Sequence, residues 1–299
     1  MSYEIVKDDC LHWLAGRDAD SIHAVITDPP FGLIEYTEEH LEKRANGNGG
    51  VWRIPPNIGG HLRQPLPRFT VLTEQEKQTL ADFFAEWARR LIRPMVPGAH
   101  LFIATNPLFT PVLFARIADA GFEFRGQLIR LVRTLRGGDR PKNAEKEFDD
   151  VTVMPRGCYE PWGLFRKPCE GKVSDNLRKW KTGGLRRISD DQPFMDVIQS
   201  RRTSKAEREI ANHPSIKPQE FLRKLCYAAL PFGEGVILDP FAGSGSTVAA
   251  ANALGLDAIG IEMRDEYVAM AKKAVPALSK IETPSDLSLG TTEFLRFGK

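Results

Sequence analysis

Apolar residues in this chain fall into two patterns: short continuous runs and runs spaced three to four apart, in alternation. Continuous runs of four to eight predict buried strands, and the three-to-four spacing predicts helices with one apolar face. Tyr3–Val6 is the first strand, Leu11, Leu14 and Ala15 mark a short helix, and Ile22–Ile26 is the second strand. Thr73-Glu74-Gln75-Glu76 has the form of a capping box. Behind it Leu80, Phe83, Phe84, Trp87 and Leu91 recur at helical spacing as far as Pro94, so their aromatic stripe reads as core packing. Pro97-Gly98 leads into a third strand, His100–Thr105, and Pro111 opens a helix with Phe114 and Ile117 inward and Gly121 as its stop. Strands follow at Gln127–Val132 and Tyr159–Phe165, and then a helix carrying Phe221, Leu222, Leu225 and Ala229. The last units are strand Val236–Leu238, helix Val248–Leu254, strand Asp257–Ile261 and helix Asp265–Ala274. This alternation predicts an α/β fold: a doubly wound, mostly parallel sheet in a single domain over residues 1–299.

Two stretches break the pattern. Residues 32–72 are rich in Gly, Pro, Asn and Arg, and an insertion this long inside a compact domain is usually functional or mobile. Its Trp52, Arg53, His61, Arg63 and Arg68 suit a loop that closes over a polyanion. Residues 166–212 have few apolar positions, and Arg166, Lys167, Lys172, Arg178, Lys179, Lys181, Arg186 and Arg187 gather positive charge around Trp180. Such a cluster is the footprint of a phosphate-backbone surface, extended by Arg133, Arg136, Arg140 and Lys142 in the preceding loop. Both insertions are expected on the strand-end face, where a nucleic acid would lie. Residues 283–299 read as a loose tail.

Charge makes this clustering matter. There are 41 Lys and Arg against 39 Asp and Glu, a net charge of +2, so nucleic-acid affinity has to come from local patches. The four cysteines, Cys10, Cys158, Cys169 and Cys226, show no Cys-x-x-Cys spacing, which fits a reduced, cytosolic protein with no metal site. No apolar run approaches the roughly 18 residues of a membrane span.

The second strand ends in Thr27-Asp28-Pro29-Pro30-Phe31-Gly32. Consecutive prolines fix φ and remove two N–H donors, so this tetrapeptide presents acceptors and a flat ring. That is an environment in which an amino group on an aromatic base can become nucleophilic. The second informative stretch is Asp239-Pro240-Phe241-Ala242-Gly243-Ser244-Gly245-Ser246-Thr247 between strand and helix. Its glycines permit close backbone approach to a ligand, and the helix start offers free N–H groups. Glu262 closes the next strand, where a carboxylate typically takes ribose hydroxyls. A P-loop would need Gly-Lys-Ser/Thr, and a dinucleotide fingerprint would need glycine at Val248. An adenosine-type ligand without pyrophosphate, such as S-adenosylmethionine, remains. Zinc-dependent base deamination is excluded by the lack of Pro-Cys-x-x-Cys.

Taken together, the Asp28–Phe31 and Asp239–Thr247 motifs resemble those of the amino-group DNA methyltransferases. Catalytic motif first, then a basic insertion, then His213-Pro214-Ser215-Ile216-Lys217-Pro218 and the cofactor turn, is similar to the permuted β-class order. The resemblance covers most of residues 3–275. It implies a circularly permuted Rossmann-like methyltransferase fold, with S-adenosyl-L-methionine as cofactor and double-stranded DNA as partner, and it leaves a homodimer open. Asp28, Pro29, Pro30 and Phe31 would be catalytic. Asp9 and Cys10 would contact the cofactor's adenine, Glu262 its ribose, and Asp239, Phe241, Gly243, Gly245 and Thr247 its methionine portion, with His213 and Lys217 beside the carboxylate. Asp at position 28 goes with adenine-N6 methylation, and Ser there is common in cytosine-N4 enzymes. Motif order argues against an RNA or protein-glutamine enzyme, and the intact Asp28 and glycines argue against a non-catalytic partner subunit.

Overall fold

The computed structural model describes residues 2–30, 57–58, 61–62, 74–132, 138–213 and 215–283. Its centre is an eight-stranded sheet of β1 (Tyr3–Lys7), β2 (Ile22–Thr27), β5 (Met95–Ala104), β6 (Glu123–Leu131), β7 (Tyr159–Arg166), β8 (Val197–Gln199), β9 (Val236–Asp239) and β10 (Asp257–Glu262). The order is β1-β10-β9-β2-β5-β7-β6-β8. Every strand of this sheet runs in one direction except β7, which is antiparallel to both neighbours. A two-residue pair, β3 (Asn57–Ile58) with β4 (His61–Leu62), is separate from this sheet. The rest of the 32–72 insertion, Phe31, Arg133, Arg136 and all but the first residue of the 283–299 tail lie outside the described residues.

The central strands are apolar at consecutive positions because both faces of the sheet are covered. Ala24 and Ile26 pack into a core with α6 (Gln219–Ala229), α7 (Ser246–Ala253) and α8 (Asp265–Leu278). Val25, between them, points into the opposite core with α1 (Cys10–Gly16), α2 (Glu74–Leu91) and α3 (Thr110–Asp119). β5 divides in the same way, with Phe102 and Ala104 on one side and Leu101 and Ile103 on the other. These alternations put the expected doubly wound sheet in place.

The topology also positions the site. The helix after β9, α7, lies on one face of the sheet and the long helix between β2 and β5, α2, lies on the other. Adjacent β9 and β2 are therefore a topological switch point, where a crevice opens at the carboxyl ends of the strands. Asp239 ends β9 and Asp28 follows β2 by one residue, so both informative motifs meet there. Thr27 Oγ1 donates to Asp239 Oδ1 at 2.8 Å and ties the two strand ends together.

Some elements depart from the pattern reading. Pro97-Gly98 lies inside β5 and not before it, because Gly98 takes φ +79° and donates its N–H to the Lys167 carbonyl. The basic stretch, which shows no strong periodicity, contains α4 (Val173–Trp180), β8 and α5 (Lys205–Ile210). These hold through local capping and buried polar contacts: Ser204 and Glu207 form a complete capping box for α5, and Asn176 of α4 donates to the Pro97 and Thr182 carbonyls.

Candidate active site

A cavity of about 370 Å³ opens at the switch point. Asp8, Asp9 and Cys10 enter it from the β1–α1 turn, Asp28 and Pro30 from the end of β2, and Phe83 and Phe84 from α2. Pro240, Phe241 and Gly243 come from the turn after β9, and Ile261, Glu262, Met263, Arg264 and Tyr267 from the end of β10 and the start of α8. His213 and Ser215 complete the wall.

Local structure explains each placement. Asp9 is the N-cap of α1, accepting from Leu11 and His12 N–H, and this capping holds it at the rim. Glu262 Oε2 accepts from Gly243 N–H at 3.0 Å and Oε1 from Arg264 N–H at 2.8 Å, so the carboxylate is aimed across the turn. Gly243 takes φ +51°, and a Cβ there would stand 3.0 Å from the His213 ring. His213 packs edge-on against Tyr267 at 4.5 Å. Burial holds His213 down to about 4, so at neutral pH it is uncharged. Burial pushes the Cys10 thiol up to about 12, which makes it a packing group and not a nucleophile.

Asp28 is the most unusual group. Its Oδ2 accepts from Lys217 Nζ at 2.5 Å, while Oδ1 is buried without a hydrogen-bond partner among the described residues. Buried carboxylate oxygens are rarely left this way, and where they are the cause is often functional. Burial raises its proton affinity and the Lys217 ammonium opposes that rise.

The structure divides the ten sequence-expected cofactor residues. Asp9, Cys10, His213, Phe241, Gly243 and Glu262 line the cavity; Lys217, Asp239, Gly245 and Thr247 do not. Asp239 instead braces the turn, accepting from Thr27 and from Phe241 N–H. Gly245 sits against α8, where a Cβ would come within 2.6 Å of Val275. Lys217 faces Asp28 and, at 3.6 Å, Glu160. Helical periodicity assigns Phe83 and Phe84 to packing alone; they pack and also wall the cavity, two roles that the spacing cannot tell apart. Glu160 and Tyr267 carry no sequence signal.

The structure places the basic cluster away from the expected strand-end face. Lys167 N–H bonds to Ala99, Asn176 to Pro97, and Lys167 Nζ to Asp20 and the Met95 carbonyl, all at the amino-terminal edge of the parallel strands. Residues 166–187 thus lie at the opposite end of the sheet from Asp28. Arg166 is buried, paired with Glu123 and the Gly183 carbonyl. Arg178 pairs with Asp175 and Lys179 with Glu170, Lys181 lies over Phe232, and Arg186 lies over Tyr227. Lys172 and Arg187 are exposed on the same edge. Linear charge density does not reveal that β7 runs backward and carries the chain away from the site before the cluster begins.

The lining charges bear on the ligand. Four carboxylates, Asp8, Asp9, Asp28 and Glu262, face the cavity, and among the described residues Arg264 is the one lining group with fixed positive charge. A polyphosphate would meet repulsion here, whereas an adenosine carrying a cationic sulfonium fits both the charge and the aromatic walls. The family model described as DNA methylase matches residues 22–273.

The chain belongs to the N6/N4 DNA methylase family.

This methylase is an S-adenosylmethionine-dependent, amino-group DNA methyltransferase. The type II methyltransferase M.HindIII of Haemophilus influenzae is 24% identical over 281 residues, 86% of this chain and 90% of its own. The DNA adenine methyltransferase YhdJ of Escherichia coli K12 is 41% identical over 135 residues, 40% of this chain and 46% of its own. Among solved structures, the cytosine-N4-specific PvuII DNA methyltransferase matches with a TM-score of 0.59 at 15% identity, over 99% of this chain and 92% of its own. TTHA0409 of Thermus thermophilus, complexed with S-adenosyl-L-methionine, matches with a TM-score of 0.57 at 20% identity, over 93% and 95%. The two structural likenesses speak to the fold of the methylase; its family rests on the sequence match.

Proposed function

We propose that this methylase acts on the N6 amino group of an adenine flipped out of double-stranded DNA, at a specific site, as the modification component of a type II system. The observation that carries this reading is the Asp28 carboxylate, held at one oxygen by Lys217 and buried but unpartnered at the other among the described residues. The exocyclic nitrogen of adenine is a poor nucleophile while its lone pair is delocalised into the ring. An acceptor fixed in advance at Oδ1 draws one amino hydrogen toward itself and favours a tetrahedral nitrogen, a contact that strengthens as positive charge develops. The cofactor supplies an electrophilic methyl group on a sulfonium. The N–CH₃ bond forms as the S–CH₃ bond breaks, and the surplus N–H proton leaves through Asp28 to water. Pro29 would offer its carbonyl to the second hydrogen and Phe31 would stack on the base. Asp9 and Cys10 would meet the cofactor's adenine, Glu262 its ribose, and Phe241, Gly243 and His213 its methionine part.

DNA would approach the carboxyl edge. The loop from β6 to β7, with Arg140 and Lys142, and the segment after β8, with Arg201 and Arg202, both leave the sheet at that edge. Extruding the base costs about a few kcal/mol, which phosphate contacts there would offset. The test is to incubate the protein with S-adenosylmethionine and mixed-sequence duplex, digest to nucleosides and identify the product by mass. N6-methyladenine is the expected result; N4-methylcytosine would keep the mechanism and move the target, and no methylated base would refute the reading.

A further inference from the structure

Four charged side chains form a row of alternating sign beneath the cavity. Arg130 on β6 stands opposite Glu160 on β7 and pairs with it at 3.1 Å; Glu160 lies 3.6 Å from Lys217; Lys217 bonds Asp28. Their side chains are 5%, 20%, 12% and 14% exposed in that order. The outer end is anchored, since Arg130 also donates to Ser200 and to the Arg201 carbonyl and lies over the Phe221 ring. Glu160 Oε1 accepts from Trp162 Nε1 at 2.9 Å, so its carboxylate is fixed from both sides.

Buried charges are costly, and a network that served only to staple the fold would use every acceptor it contains. This one does not, because Asp28 Oδ1 has no partner among the described residues. The ammonium of Lys217 is shared between two carboxylates, one at the reaction site and one behind it. Were Glu160 neutral, Lys217 would be held by Asp28 alone and would withdraw more electron density from it. We propose that Glu160 is a positioning residue for methyl transfer, sharing the Lys217 ammonium with Asp28 so that Oδ1 stays a strong enough acceptor for the substrate amino group. This rests on the reading of Asp28 given above. It assigns Lys217 a partner in the reaction, in place of the cofactor carboxylate expected from the motif.

The directions of proton affinity agree. Burial lifts Asp28, Lys217 and Arg130 pull it down, and Glu160 lifts it. Burial acts against Lys217, but Asp28 and Glu160 together raise it and keep it charged. Glu160 is itself held down: burial would lift it, and Lys217 and Arg130 prevail. Asp239 also faces Asp28, from β9, with burial pushing its carboxyl up to about 6.

The test is the pH profile of single-turnover methyl transfer at saturating cofactor. Lys217→Met is expected to move the acid limb upward by about one pH unit or more, because burial of Asp28 is then uncompensated. Glu160→Gln is expected to move it downward by about half a unit or more and to lower the plateau roughly tenfold, with cofactor affinity unchanged. Glu160→Asp restores the wild-type limb. Asp239 adds a limb of its own that these variants leave in place, so the shift is read from the ratio of variant to wild-type rates. A Glu160→Gln enzyme with normal cofactor affinity and an unmoved limb overturns the proposal. Because an unpaired Arg130 could unfold that variant, Arg130→Gln with Glu160→Gln is made beside it; Arg130 pulls Asp28 down less than Glu160 lifts it, so a smaller shift in the same downward direction is required. Asp28→Ala is run in parallel, and methyl transfer surviving in it would sink the underlying reading of Asp28 independently of Glu160.

Discussion

Asp28 and His213 both line the cavity, and burial disfavours the charged form of each. Burial raises the proton affinity of Asp28 and the Lys217 ammonium against it opposes that rise; the proposed chemistry depends on the carboxylate form as acceptor. Asp28→Ala should lower the single-turnover rate by about 10²–10³-fold or more, the usual cost of a lost transition-state acceptor. Calorimetry should find S-adenosylmethionine binding within a few-fold of wild type; joint loss of both would mean that Asp28 serves binding. His213 has lost its charge to burial. Its folded-state value of about 4 lies below the ordinary 6.5, so the folded protein binds fewer protons between these values. The associated stability is present above pH 6.5 and is lost as pH falls through 4, by about 3 kcal/mol at most. Denaturant melts of wild type and His213→Gln should therefore converge as pH drops from 7 to 4, and parallel curves would contradict the assignment.

At the scale of the element, the turn after β9 serves two purposes with different glycines. Gly243 faces the cavity and accommodates His213; Gly245, at φ +77°, lets α7 start against α8. Gly245→Ala would place a Cβ 2.6 Å from Val275 in a conformation that L residues avoid. A loss of about 1–3 kcal/mol is expected in urea unfolding, with weaker cofactor binding following from it. A variant as stable as wild type would show that the helix pair can separate at little cost. The backward strand β7 also acts at this scale: it supplies Glu160 at its start, beneath the site, and Arg166 at its end, on the far edge.

Over the whole molecule, the two edges of the sheet carry different basic groups. The near-neutral net charge of +2 means that DNA affinity depends on which edge faces the duplex. Arg140→Ala with Lys142→Ala, at the carboxyl edge, should reduce the slope of log affinity against log salt by about 2. Arg178→Ala with Arg187→Ala, at the amino edge, should leave it unchanged. Fluorescence anisotropy with a labelled duplex across roughly 50–200 mM salt measures both. The reverse outcome would place DNA on the face that carries residues 166–187.

The sequence alone determined the alternation of strands and helices, the switch-point motifs and the class of cofactor. These are local properties: a run of apolar residues reports two buried faces, and Asp239–Thr247 states its own turn. Asp28 was legible for the same reason, since Pro29-Pro30 restricts the backbone wherever it occurs. Only the tertiary structure decided what lies opposite what. Glu160 and Arg130 meet because β7 pairs with β6 in a register that periodicity does not encode. Lys217 turns to Asp28 because β2 and the segment before α6 converge across 189 residues. The basic cluster fell on the far edge because one strand runs backward, and strand direction is settled by packing between distant segments of chain.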